Sequence, residues 1–347
     1  MEVEAQDPTE APQGRVAEWH GVDPERFANE VRSRYEPAVL RGFVAEWPAV
    51  EACRSTAGTQ AYLARFDRGA PVRAWVGPGD IEGRFFYRPE MVGFNFGITE
   101  APLAQIVAKI IEDAGQEHRF SIYMGSTPVP DILPGFEREN SMPALAATGA
   151  VPRIWVGTET NVAPHFDESD NVACAVRGRR RFVLFPPEEV ENLYVGPIDQ
   201  TPAGQPTSMV DMAKPDFERF PRFRKALERA LVADLEPGDA IYVPALWWHA
   251  VRAFDPLNIL VNYWWQEGPN DAGSPMHALG HGLLTISQLS PEKRAAWRAL
   301  FDHYVFRLDG DPTEHIPPAA RGILGESTPQ LRAAIRNFLI RQLQGRP

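Results

Sequence analysis

Cysteine is almost missing from this chain, with two in 347 residues, Cys53 and Cys174, far apart. That excludes a disulfide framework and a cysteine-rich zinc site, and it fits a reducing compartment, so a cytoplasmic location is expected. A cationic excess is missing too: 35 Lys and Arg stand against 46 Asp and Glu, a formal net charge of −11. A chain of that sign is repelled by phosphate backbones, which makes nucleic acid a poor candidate partner. No apolar run approaches the roughly 20 residues needed to span a bilayer. The first 13 residues are polar and acidic, without the basic-then-apolar order of a secretory leader, so neither a leader nor a membrane partner is expected. Internal repeats and low-complexity tracts are also lacking.

What is present suffices for one large core with additions around it. Residues 1–15, rich in Glu, Pro, Gln and Asp, read as a disordered tail. Residues 16–118 read as an N-terminal α/β extension. In it Asp23-Pro24-Glu25 sets a capping residue before a proline and starts a helix over 24–34. A strand is expected near Pro37–Phe43, and Leu103, Ile106, Val107, Ile110 and Ile111 recur at helical spacing over 101–113. From 119 to 268 the texture changes to short apolar runs (120–123, 154–156, 172–176, 182–185, 240–243, 259–265) broken by Gly and Pro turns. That is the pattern of a β-barrel or jelly roll. A polar, Pro-rich insertion at 186–235, with a short helix near 221–232, interrupts it. Helical texture returns over 269–347, in segments around 274–287, 291–306 and 329–343. The expected fold class is mainly β with flanking helices, a jelly-roll core between an α/β extension and C-terminal helices.

Chemistry concentrates in His165-Phe166-Asp167 and in Trp247-Trp248-His249, 82 residues after Asp167. Residues i and i+2 of a strand share a face, so His165 and Asp167 can reach one cation from one extended segment. A Gly238-Asp239 turn and an apolar strand lead into His249, which a closed β-fold can bring opposite. Two imidazoles and one carboxylate form the facial triad of non-haem iron sites. Parity extends the reading: Asn171, Ala173 and Ala175 share the odd-numbered face with the ligands, and small inward residues leave room for a bound molecule. Val172, Cys174 and Val176 then pack on the other face. Next comes Arg177-Gly178-Arg179-Arg180, read as a two-residue type II′ hairpin that pairs Arg177 with Arg180. That pairing turns Arg180 to the ligand side, one strand over from Asn171, while Arg179 and Arg181 stay solvated. A fixed guanidinium beside a metal suits a dicarboxylate cosubstrate.

Taken together, these residues resemble the cupin-like branch of the JmjC-type iron(II) and 2-oxoglutarate-dependent oxygenases, and within it the asparaginyl-hydroxylase pattern. The resemblance runs through Pro37-Ala38-Val39-Leu40-Arg41-Gly42-Phe43 with Trp47-Pro48, and through Asn161-Val162-Ala163-Pro164-His165-Phe166-Asp167-Glu168. It continues in Phe182-Val183-Leu184-Phe185-Pro186-Pro187, Pro237-Gly238-Asp239, Trp247-Trp248-His249 and Val261-Asn262-Tyr263-Trp264. It implies that His165, Asp167 and His249 ligate Fe(II). It further implies that Arg180 holds the distal carboxylate of 2-oxoglutarate with the Tyr123 hydroxyl, and that Asn171 and Asn262 line the cosubstrate pocket, with Trp264 as a wall. Three features depart from the pattern: Val162 replaces a threonine, Arg180 replaces a lysine, and the stretch from His249 to Asn262 is shorter.

The implied activity is hydroxylation or demethylation of a protein, a peptide side chain or a small molecule, selected by the insertion and by residues 84–97. Two other readings stay open, a cupin metal enzyme that does not use 2-oxoglutarate and a non-catalytic cupin binding or dimerisation module. His277 and His281, spaced i, i+4, find no completing carboxylate or cysteine nearby and read as structural. The apolar stripe of the C-terminal helices (Leu283, Leu284, Ile286, Leu289, Trp297, Leu300, Phe301, Tyr304) reads as packing or as a homodimer surface, which the resemblance favours.

Overall fold

A computed structural model describes residues 14–116, 119–269 and 271–345. The chain packs as two compact units, one ending at Gln266 and the other beginning at Glu267. Among the described residues, fourteen strands belong to the first unit. The early ones are β1 (Gly14–Arg15), β2 (Ala17–His20), β3 (Ala38–Arg41), β4 (Pro71–Gly77), β5 (Gly97–Pro102) and β6 (Ser121–Pro128). Then come β7 (Pro152–Gly157), β8 (Asn161–His165), β9 (Asp170–Arg177), β10 (Arg180–Phe185), β11 (Leu231–Leu235), β12 (Ala240–Val243), β13 (Trp248–Ala253) and β14 (Asn258–Trp265).

These form a five-stranded sheet, β1-β11-β10-β13-β8, and a nine-stranded sheet, β2-β3-β12-β9-β14-β7-β6-β4-β5. Strands β7 to β14 step between the two sheets at every connection except β10 to β11, which are neighbours in the smaller one, with one neighbour order (β7-β14-β9-β12) facing the other (β8-β13-β10-β11). This is the double-stranded β-helix, or jelly roll, expected from the sequence. The strands of the N-terminal extension join the larger sheet, β2 and β3 at one end and β4 and β5 at the other.

Alternation within the strands shows why the sheets close. Phe182 and Leu184 of β10 pack inside the barrel with Ala173, Ala175, Leu235, Ile241 and Leu260. Their neighbours Val183 and Phe185 pack behind the smaller sheet with Phe223, Leu193 and Val232. Val172, Cys174 and Val176 of β9 face outward, toward a third cluster holding Phe27, Leu40, Leu103 and Ile110. A strand buried on both faces reads as a continuous apolar run, and period 2 decides which layer each side chain joins.

Local signals placed the flanking helices. The Asp23 side chain accepts from the Arg26 N–H at 2.8 Å and opens a helical stretch over 24–34. Leu103–Asp113 buries Leu103, Ile106, Val107 and Ile110, the spacing seen in the sequence. Residues 1–13 of the expected tail lie outside the described residues, whereas Gly14 and Arg15, also counted in it, pair in parallel with Leu231 and Val232. The insertion is shorter than expected, because Leu231–Leu235 is a barrel strand. Its alternation was masked by the helix-like composition just before it, where the helix itself covers only Phe223–Glu228. In the second unit, helices run over Pro275–Thr285, Pro291–Tyr304 and Pro329–Leu343. No described helix is long and apolar enough to cross a membrane.

Candidate metal centre and cosubstrate cavity

The antiparallel pairing of β8 with β13 sets His165 and His249 directly opposite each other. Asp167 follows β8 by two residues, and ligand atoms of all three side chains lie within 4.8 Å of one another. His249 Nε2 is 3.6 Å from Asp167 Oδ2, and the two imidazole centroids are 4.3 Å apart. Each ring is fixed by its other nitrogen: His165 Nδ1 meets the Ala163 carbonyl at 2.9 Å and His249 Nδ1 meets the Trp247 carbonyl at 3.0 Å. A nitrogen facing a carbonyl must carry the proton, so both Nε2 lone pairs are left for the centre of the group. Burial, and then the neighbouring His165, push the His249 pKa down to about 4, which keeps that ring neutral. Neutral imidazoles and a carboxylate are the donors a divalent cation needs. His277 and His281 gather no third ligand among the described residues.

All eight side chains singled out in the sequence line one cavity of about 280 Å³: His165, Asp167, His249, Tyr123, Asn171, Arg180, Asn262 and Trp264. Arg180 is 3 % exposed, its guanidinium makes no hydrogen bond or ion pair among the described residues, and its Nε is enclosed and unpartnered. Burial pushes its pKa down to about 10, with only the Tyr123 hydroxyl opposing. A buried guanidinium without an anion is costly, and an anion placed in this cavity would offset that cost. Burial likewise pushes the Tyr123 hydroxyl up to about 12, against the pull of Arg180. Tyr123 therefore stays a protonated donor.

Arg180 arrives by a different route from the one the sequence suggested. The hairpin reading fails, because β9 and β10 lie in different sheets and do not pair. Arg180 pairs instead with Leu235 of β11 and Ala253 of β13, and it enters the cavity from the sheet opposite Asn171. A register slip between Ile259 and Leu260 marks a bulge in β9 that swings Arg177 away from the barrel. Its guanidinium donates to the Cys53 carbonyl at 2.6 Å and to Thr59 Oγ1 at 2.8 Å. Gly178, at φ +78°, makes the crossover, and a Cβ there would collide with Asn258 Oδ1. Arg179 is exposed beside Asp255, whereas Arg181 is half-buried and pairs with Asp234 at 2.7 Å.

The amides form a chain. Trp155 Nε1 donates to Asn262 Oδ1 at 2.7 Å, and Asn262 Nδ2 donates to Asn171 Oδ1 at 3.1 Å. The Trp264 indole N–H donates to Asp167 Oδ2 at 3.1 Å. Sequence reasoning missed Trp155, which a lone tryptophan in an apolar run disguises as core. The inward parity of β7, which it shares with Arg153, was the available signal. It also missed Thr207, which bridges to His165 while Ser208 N donates to the Pro164 carbonyl at 2.7 Å. The insertion thereby pads the open edge of the ligand-bearing strand. Gly83, Phe85 and Phe86 from one loop and Pro202, Ala203 and Gln205 from the insertion complete the cavity wall.

A double-stranded β-helix with His-x-Asp and a distant His converging inside it is a cupin-type fold whose three donors could hold a metal ion. The family model described as "Cupin-like domain" matches residues 24–271, and the chain belongs to that family. Human HSPB1-associated protein 1 is 36% identical over 153 residues, 43% of this chain and 31% of that protein. The chain thus spans under a third of that relative's length. Chicken tRNA wybutosine-synthesizing protein 5 is 25% identical over 322 residues, covering 82% of this chain and 92% of the relative. Lysine-specific demethylase JMJ31 of Arabidopsis thaliana is 34% identical over 115 residues, 33% of this chain and 20% of that protein.

Proposed function

We propose that the protein is an Fe(II)- and 2-oxoglutarate-dependent oxygenase that hydroxylates a protein or peptide side chain or a small molecule. One observation carries the reading: the buried, unpaired Arg180 shares a cavity with the His165, Asp167 and His249 donor set. A cupin enzyme without a dicarboxylate cosubstrate has no use for that cation, and a purely structural module has no use for the donor set. Bound there, iron(II) and 2-oxoglutarate supply the oxidising power to place one oxygen atom of dioxygen into a C–H bond, with release of succinate and carbon dioxide.

The chain's own residues have separable tasks in this reading. His165 and His249 present Nε2, and Asp167 presents one carboxylate oxygen. Arg180 neutralises the far carboxylate of the cosubstrate, and the Tyr123 hydroxyl donates to it. Asn171 and Asn262, fixed by Trp155, hold amides along its path. Phe182, Val251 and Leu260 add apolar side chains to the cavity lining. Protein and peptide substrates suit the relatives named for a demethylase and for an HSPB1 association. The likeness to the wybutosine relative over 92% of its length speaks for an RNA substrate, and the net charge of −11 speaks against it.

The reading extends to assembly. None of the three C-terminal helices buries a residue, yet they expose Leu284 (70 %), Trp297 (44 %) and Leu300 (46 %). Apolar surface left uncovered on this scale suits a second copy of the chain.

The test of the catalytic reading is turnover. Protein loaded with iron(II) is expected to convert 2-oxoglutarate to succinate, slowly even without substrate, and Asp167→Ala is expected to abolish this. Succinate release that persists undiminished in Asp167→Ala sinks the assignment.

A further inference from the structure

Trp264 was expected to wall the cosubstrate pocket, but its polar atom is committed elsewhere. Its indole N–H donates to Asp167 Oδ2 at 3.1 Å, and that same oxygen lies 3.6 Å from His249 Nε2. The Asp167 oxygen that lies beside the His249 ring nitrogen is thus tethered by Trp264. The tether itself is held on two sides. The Trp264 ring meets the Trp155 ring edge-on, with centroids 5.8 Å apart and planes at 88°. The Arg153 guanidinium sits 5.9 Å from the Trp264 ring centroid.

Arg153 is fixed in turn, donating through Nε to Ser126 Oγ at 2.6 Å and through Nη2 to the Ser126 carbonyl at 2.7 Å. A cation near an indole ring draws electron density toward the ring face, which makes the N–H a stronger donor. An aspartate on a segment just past the end of a strand would otherwise swing between one-oxygen and two-oxygen binding. A donor that occupies one lone pair of Oδ2 settles that choice before a metal arrives.

Resting on the proposed metal reading, we propose that Trp264 is a positioning residue for Asp167, with Arg153 polarising it, and that this pair sets the affinity of the centre for divalent metal. Ligating carboxylates depend on such outer donors, and losing one typically lowers metal affinity about 10- to 100-fold. Nothing in this requires turnover.

The experiment titrates the full chain, freed of metal, with Mn²⁺ alone, reading free ion by its paramagnetic resonance, and melts each metal-free variant alongside. Trp264→Phe keeps the ring and removes the donor; it is expected to weaken Mn²⁺ binding about 10- to 100-fold while the metal-free melting temperature stays put. Arg153→Gln keeps a donor for Ser126 and removes the charge, and a smaller loss, several-fold, is expected. Wild-type affinity in Trp264→Phe overturns the proposal. So does a loss matched by a collapse of the metal-free melting temperature, which would make Trp264 merely structural. If the unaltered chain does not take Mn²⁺ at all, the metal reading fails first and takes this one with it.

Discussion

The two units of this chain are built on opposite principles. Up to Gln266, apolar side chains fill three clusters, and Leu40, Ile154, Leu184 and Phe223 are wholly buried. Beyond it, only Pro312 and Thr313 are buried among the described residues. Yet the helices of the second unit are the better specified locally. Ser274, Ser290 and Thr328 each cap a helix with a hydroxyl that accepts from its first turn, and each is followed by proline at the first helical position. Caps fix where a helix begins, but they contribute about 1 kcal/mol each, far less than a buried core. The barrel holds itself together through pairings distant in sequence, while the helical unit is locally well formed and energetically open. Chemistry needs the former and association suits the latter.

That contrast can be broken hardest inside the barrel. Leu40 of β3 is fully buried in the largest cluster, so Leu40→Ala is expected to lose about 2–5 kcal/mol of unfolding free energy in a denaturant titration. A loss below about 1 kcal/mol would mean the first unit does not depend on its core as described.

Arg180 sharpens the comparison, being the place where the barrel gives up stability. Arg180→Met replaces an unpaired buried cation with an apolar side chain of similar reach. The cosubstrate-free protein is expected to gain about 1–3 kcal/mol while 2-oxoglutarate binding, followed by calorimetry, falls at least tenfold. Unchanged affinity would detach Arg180 from the cosubstrate, and a destabilised variant would show that the cation has an anionic partner after all.

How far the sequence could be read follows the same division. The strand parity that put Asn171, Ala173 and Ala175 inward, and Val172, Cys174 and Val176 outward, is local and was legible. The i, i+2 spacing of His165 and Asp167 was legible for the same reason. Arg180 lines the cavity as expected, but from the opposite sheet and not one strand over from Asn171, so the argument that turned it inward was wrong. A hairpin joins neighbours within one sheet, whereas Gly178 turns the chain from one sheet to the other, and no residue at 177–180 announces that choice. The bulge that reverses Arg177 depends on its partner strand β14, so no local pattern carries it. Trp155 could be read as inward from the parity of β7 but not as a partner of Asn262, and Thr207 was illegible because its role comes from the strand it lies against.

The smallest effect on folding is expected where exposure is greatest. Leu284, Trp297 and Leu300 are 70, 44 and 46 % exposed, so changing all three to Ser removes little buried area from one chain. Unfolding free energy extrapolated to low protein concentration should therefore move by less than about 0.5 kcal/mol per site. Succinate release per barrel should hold, since none of the three lines the cavity. Association is a different matter, because an apolar helix face left open by one chain is what a second copy would cover. Analytical ultracentrifugation should find the parent chain as a dimer and the triple variant as a monomer at the same concentration. A parent that sediments as a monomer would remove the second copy as the cover for those helices. A variant that loses several kcal/mol on its own would show that the second unit is stabilised from within, and the contrast between the two units would then fail.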